Sequence, residues 1–239
     1  MLRVDFVTLF PEMVLGALSH SMMGRAQSSG AVQFGCSNPR EFATDKHKTV
    51  DDTSYGGGPG MVMMVPVVAD ALAALSPGPE TAIVLCDARG PRFDQAAARG
   101  LASLGHVVFL CGHYEGVDER VRTQLATHCY SIGDFVVTGG ELPALAMADA
   151  VVRLLPGVLG DPASHEDDSF VEGLLGFPLY TRPESFRGEA VPPVLLSGHH
   201  EQIRKWRRKE QLLATRRERP DLFCRASLTE ADIEAIRPI

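Results

Sequence analysis

Along the first 159 positions, apolar residues arrive in short blocks, and the blocks are of two kinds. Residues 2–9 (L-R-V-D-F-V-T-L) read as a strand, 81–86 (T-A-I-V-L-C) and 106–111 (H-V-V-F-L-C) are largely apolar runs of strand length, and 129–132 and 135–137 are shorter strand-like ones. Between them lie helical patterns: one opening at Phe10-Pro11 with proline at its first position, an alanine-rich one over 94–104, one over 117–125, and a long one over 142–155 that stops at Pro156-Gly157. Continuous apolar strands separated by helices predict a parallel sheet buried on both faces. Periodicity alone describes it as Rossmann-like.

After residue 159 the pattern changes. The stretch G-V-L-G-D-P-A-S-H-E-D-D-S-F is polar, acidic and aperiodic, so a linker is expected over 160–176. From 177 to 239 proline-punctuated turns lead into helices: one over 199–219, with Ile203, Trp206 and Leu213 on one stripe, and a short one opened by Thr229 with Asp232 three residues on, a capping-box spacing. The expected organisation is an α/β domain over 1–159, the linker, and a small mainly helical domain over 177–239.

Composition narrows the class. A chain of 239 residues, 45% hydrophobic and 22% charged, has ample material for packed cores. Its five cysteines are scattered and form no C-x-x-C, which excludes a disulfide framework or zinc knuckle as the basis of the fold and predicts a reducing, cytoplasmic setting. No apolar run approaches the roughly 20 residues of a membrane helix, and the first residues lack the basic start of a secretory signal. The formal net charge is -7, yet residues 204–219 carry eight Lys or Arg against two Glu. One basic helix in an acidic protein predicts a polyanionic partner met locally.

The chemistry is expected at the carboxyl ends of the strands, where open parallel sheets gather ligands. Three such ends carry glycine loops: D-A-R-G after 86, G-H-Y-E-G after 111 and G-D-F-V-V-T-G-G-E-L-P after 132. A phosphate-binding G-K-[ST] is missing from the richest glycine run, Y-G-G-G-P-G-M at 55–61, and no G-x-G-x-x-G lies between a strand and a helix. Triphosphate and nicotinamide ligands are therefore disfavoured, and a compact nucleoside-type ligand fits better. His199-His200 has no partner at metal-ligand spacing, so no metal site is expected.

Seven motifs in one order, F-A-T-D-K-H-K-T-V-D-D (42–52), Y-G-G-G-P-G-M (55–61), G-H-Y-E-G-V-D-E-R-V (112–121), S-I-G-D-F-V-V-T-G-G-E-L (131–142), D-D-S-F (167–170), Y-T-R-P (180–183) and V-P-P-V-L-L-S-G (191–198), resemble the bacterial tRNA (guanine-N1)-methyltransferase family. The resemblance spans nearly the whole chain. It implies a SPOUT fold, in which a deep trefoil knot in the parallel sheet forms the S-adenosylmethionine site, with a helical tRNA-binding domain after it. It also implies a homodimer with its active site at the subunit interface, the anticodon arm of tRNA as partner, methylation at N1 of the guanosine immediately 3′ of the anticodon, and a possible Mg2+ requirement.

By the same resemblance the donor is held by Leu85, Cys86, Asp87, Gly90, Gly112, Tyr114, Glu115, Gly116, Ile132, Gly133, Asp134, Phe135, Val136, Val137, Gly139, Gly140 and Pro143. Asp168 matches the general base, Arg153 the catalytic arginine and Glu115 the residue that orients the guanine edge. Asp51, Tyr55, Arg182, Lys205, Arg207 and Arg208 match tRNA-binding positions. Two departures stand out: Asp87-Ala88-Arg89 where the family has S-P-Q, and His113 where it has arginine. From the residues alone Asp168 is one solvating linker acid among several, Arg153 a cation at a helix C-terminus and Glu115 a first-turn acid; as the general base, Asp168 is expected to become ordered only when tRNA binds. Another SPOUT methyltransferase acting at a different RNA site, or a non-catalytic RNA-binding protein, are the alternatives.

Overall fold

The computed structural model describes residues 1–159 and 168–237, which fall in two compact units, Met1–Gly160 and Asp161–Ile239. Residues 160–167 of the expected linker lie outside the described residues.

The first unit runs β1 (Leu2–Val7), α1 (Pro11–Leu18), α2 (Ser21–Ser28), β2 (Val32–Ser37), a 3-10 turn at Pro39–Glu41, β3 (Asp51–Asp52), β4 (Val62–Met63), α3 (Val65–Ala74), β5 (Ala82–Cys86), α4 (Gln95–Ala102), β6 (His106–Cys111), a π-type turn at Val121–Leu125, β7 (His128–Tyr130) and α5 (Glu141–Val152). Five strands form one parallel sheet in the order β2-β1-β6-β5-β7. Side chains alternate across it. Val84, Val107 and Phe109 pack into a core with α1, α2, α4 and α5 on one face, while Leu85, Val108 and Leu110 pack with α3 and Val121 on the other. Both faces are therefore dry, as the continuous apolar runs require.

Local signals set several boundaries. Pro11 opens α1, and the Asp94 side chain caps α4 by accepting a hydrogen bond from Ala97 N at 2.9 Å. Two expected elements are corrected. The helix over 117–125 begins only at Glu119 and is of π type over Val121–Leu125, because Val117 bridges to Met63 and Asp118 N donates to Met63 O. Residues 135–137 form no strand; they are an open wall with Val136 almost wholly exposed. α2, β2 and α3 were not among the predicted elements.

The second unit is built on α7 (His200–Glu218), preceded by the hairpin β8 (Ser185–Phe186) and β9 (Glu189–Ala190) and by α6 (Pro193–Leu196), and followed by α8 (Pro220–Phe223) and α9 (Glu230–Ala235). Its buried residues on α7 are Leu212 and Thr215, with Ile203, Trp206 and Leu213 only half-buried. Leu174 is buried and Leu175 N donates to Thr215 Oγ1 at 2.8 Å, so the residues just before 177 pack into this unit. The capping box of Thr229 and Asp232 is present.

Candidate active site

Three strand ends converge on one cavity of about 600 Å³, a size suited to a nucleoside-class ligand. Each loop that forms it is pinned from outside. Beyond β5, Asp87 accepts from its own loop at Arg89 N (2.8 Å) and from Arg89 Nη2 (2.7 Å). Arg89 reaches on to Glu119 at 2.9 Å, and Glu119 to Arg122 at 2.7 Å. Burial pushes the Asp87 carboxyl up, but the hydrogen bonds from Arg89 outweigh it and leave Asp87 below the ordinary range. Beyond β6, Tyr114 takes a left-handed conformation (φ 61°), and Met61 O and Met63 N hold Glu115 N and Gly116 O at 3.0 Å each.

The third wall crosses the other two. After β7 the chain bonds Tyr130 O to Asp87 N, runs past the end of β5, and reaches the end of β6, where Gly140 N donates to Gly112 O at 2.7 Å. A Cβ on Gly140 would lie 2.7 Å from Cys111 Cα, and one on Gly139 would lie 2.5 Å from both Glu141 Oε2 and His113 Nδ1. Gly139 and Gly140 line the cavity, but what their missing side chains permit first is the passage of chain over chain.

Beneath this crossing lies a buried acid. Glu141, in the first turn of α5, is 2% exposed; its Oε1 accepts from Thr8 Oγ1 at 2.8 Å. Its Oε2 faces His113 Nδ1 at 3.8 Å, too far for a hydrogen bond, and His113 Nδ1 is buried without a partner among the described residues. The His113 ring is flanked by Phe10 (5.0 Å) and Tyr114 (5.3 Å). His113 also lines a second recess of about 160 Å³ with Phe10, Met13, Thr138, Gly139, Glu141 and Leu142. Burial, then their neighbours Cys129 and Glu141, push the Cys86 thiol up, and burial followed by Cys86 and Glu141 does the same at Cys111.

A family model described as tRNA (Guanine-1)-methyltransferase TrmD matches residues 2–225. The chain belongs to this family. It is 50% identical over 231 residues to a tRNA (guanine-N(1)-)-methyltransferase of Staphylococcus aureus strain Newman, covering 97% of this chain and 94% of the relative. It is 52% identical over 234 residues to the protein of that name from Moorella thermoacetica, with the same coverage.

Of the donor positions that the family resemblance assigns, all but Gly90 and Asp134 line the cavity. Gly90 instead lets its loop lie on β7, since a Cβ there would be 2.7 Å from the Cys129 carbonyl carbon. Asp134 pairs with Arg92 at 2.9 Å on the surface. Sequence reasoning did not single out Glu119, Thr138 or Glu141. The E-L-P that opens α5 signalled an acid at a helix start, and only its burial marks it as unusual.

The catalytic assignments divide. Glu115 is exposed at the cavity mouth. Arg153 is the half-buried C-cap of α5 and does not line the cavity, and Asp168 lies half-buried in a bend of the second unit; neither is a free side chain. Among the tRNA-binding assignments, Tyr55 is fully exposed, Arg182 is exposed and Asp51 sits in β3. Lys205 pairs with Glu201 at 2.8 Å, and the Arg207 guanidinium lies 4.7 Å from the Phe177 ring centroid. Arg208 is bound to Asp232 (2.8 and 2.9 Å) and Glu172 (2.7 Å), so its charge is already matched inside the second unit. Among the described residues no group of three His, Cys, Asp or Glu is arranged to hold a metal ion. No helix among them is long and apolar enough to cross a membrane.

Proposed function

We propose that the chain methylates N1 of the guanosine immediately 3′ of a tRNA anticodon, with S-adenosylmethionine as donor held in the strand-end cavity. The observation that carries the donor is the charge of that cavity. Its lining contains one guanidinium, Arg89, already matched by Asp87 and Glu119, so a phosphate-bearing cofactor finds no unmatched cation. Its remaining lining combines apolar residues such as Leu85, Ile132 and Pro143 with acids, which suits a nucleoside carrying positive charge.

The donor supplies an already electrophilic methyl group. The protein's tasks are alignment and making N1 nucleophilic, and N1 bears a proton whose loss places negative charge on O6. Asp168 is the proposed acceptor of that proton, Arg153 the cation for O6 and Glu115 the residue that orients the guanine edge. Tyr55 and Asp51 are the proposed tRNA contacts of the first unit, and Arg182, Lys205 and Arg207 those of the second; Arg208 is better suited to holding α7 to α9.

Three further expectations belong to the same reading. A trefoil knot is supported by the crossing of 131–140 over the ends of β5 and β6 before α5 packs against α1, α2 and α4. A homodimer is supported by the exposed apolar Phe10, Met13 and Leu142 around the second recess beside the cavity. A cytoplasmic site of action is supported by five cysteines that are all free thiols.

The test is transfer of labelled methyl from S-adenosylmethionine to an unmodified tRNA transcript with guanosine after the anticodon, beside one with adenosine there. Label on the first alone is expected. Label on both moves the target to another site on the RNA, and label on neither removes the activity.

A further inference from the structure

The donor and the product it leaves behind have nearly the same shape. S-adenosylmethionine carries a sulfonium cation, and S-adenosylhomocysteine has a neutral thioether in its place; nucleoside and amino-acid head are shared. A site that tells them apart by more than a methyl group must do so through charge. We propose that Glu141 is a specificity-determining residue that favours the cationic donor over its neutral product. This rests on the cavity being the donor site.

Three observations converge on Glu141. It lines the second recess and is buried behind Gly139, a residue of the donor cavity's wall, so near that a Cβ on Gly139 would touch Oε2. Among the described residues its charge is left without a hydrogen-bonded cation: one oxygen accepts from the Thr8 hydroxyl, and the other faces His113 Nδ1 at 3.8 Å, outside hydrogen-bond reach. The α5 N-terminus at which it sits stabilises a carboxylate without neutralising it. A buried carboxylate in low dielectric, paired only in part, projects its field further than a solvated one. That field reaches the cavity floor, for Glu141 opposes ionisation of Cys86 and Cys111, the last residues of β5 and β6, and Cys86 itself lines the cavity.

The other charged and titratable groups nearby do not supply the same discrimination. Asp87, Arg89 and Glu119 form a matched set at the other rim, and Glu115 is exposed to solvent. The phenol oxygen of Tyr114 accepts from Arg40 Nη2 at 3.2 Å. The thiols of Cys86 and Cys111 are pushed far above neutral pH and stay uncharged. Among the described residues His113 is the basic side chain that faces Glu141, at 3.8 Å. The family resemblance puts a permanent cation there, so in this chain the acid is less compensated than that pattern implies.

Calorimetric titration of the full chain with S-adenosylmethionine and, separately, S-adenosylhomocysteine at neutral pH tests this. Glu141→Gln keeps the shape and the Thr8 hydrogen bond while removing the charge. It is expected to weaken donor binding about tenfold and to move product binding less than about twofold. His113→Arg is the second variant, independent of whether Glu141→Gln folds well; it should shrink the donor-to-product preference in the same direction. An equal loss for both ligands in Glu141→Gln would assign Glu141 a purely structural role and overturn the proposal, as would an unchanged preference in His113→Arg. Failure of the unaltered protein to bind either ligand would overturn the donor-site reading and this inference with it.

Discussion

Two buried carboxylates of the first unit, Asp5 within β1 and Glu141 at the start of α5, are treated in opposite ways. Toward the amino edge, Asp5 is 2% exposed and fully engaged: Arg3 Nε lies at 2.6 Å and His106 Nε2 at 2.7 Å. His106 Nδ1 meets Thr81 Oγ1 at 3.2 Å, and that oxygen accepts in turn from Gly78 N at 2.9 Å. With the imidazole N–H on Nε2, the His106 N–H, the Thr81 hydroxyl and Gly78 N each find an acceptor. At the carboxyl edge, Glu141 is equally buried but has one hydroxyl donor and a histidine just out of reach. A satisfied network fastens strands together; a half-satisfied one under a cavity leaves charge available to a ligand. The proposed site thus puts chemistry at one edge, with the satisfied network at the other.

The sharpest way to break this contrast is Asp5→Ala. Removing the acid strands His106 and Arg3, and stability should fall by about 3 kcal/mol in denaturant melts, with donor affinity unchanged. A loss of donor affinity in protein that remains folded would show that the two edges are not separate. Gly140→Ala should have the next largest effect. Its Cβ would meet Cys111 Cα at 2.7 Å and Gly112 N at 2.8 Å, backbone that cannot swing aside. The crossing must shift, costing about 2 kcal/mol and, unlike Asp5→Ala, weakening donor binding at least about tenfold by calorimetry.

The smallest effect is expected in the second unit, where Arg208 binds Asp232 on α9. Hydrogen bonding from Arg208 is the main reason the Asp232 carboxyl lies well below its usual range, with burial opposing it. Because the folded value is depressed, this pair stabilises the protein above the ordinary aspartate range and its contribution fades as pH falls through and below that range. Arg208→Leu should therefore cost about 1 to 2 kcal/mol at pH 7, and the gap in Tm from the unaltered protein should narrow as the pH is lowered toward 3. A gap that stays constant with pH would mean Arg208 acts by packing alone.

How much of this was legible in the sequence depends on whether a residue's role is local. The strands at 81–86 and 106–111, the proline start of α1 and the capping box of Thr229 are written in neighbouring residues, and the structure follows them. β2 was not predicted: V-Q-F-G-C-S has a glycine at its centre, and Gly35 is there because a Cβ would collide with the Asp5 carboxylate on the adjacent strand. The helix expected from 117 starts late because β4, more than fifty residues earlier, competes for its first backbone groups. The motifs gave nearly all the cavity lining, since loops at strand ends are contiguous in sequence. They could not reveal Glu141 as a partly compensated buried charge, because its burial is made by Thr8, His113 and Gly139, brought together only by the crossing chain.

The central claim is that the carboxyl edge holds the donor while the amino edge does not take part. Amide hydrogen exchange of the full chain with and without S-adenosylmethionine addresses it most directly. Slowed exchange confined to 85–90, 112–116 and 131–140, with no change around Asp5, Thr81 and His106, is the predicted result. Protection centred on the amino edge, or on neither edge, would contradict it.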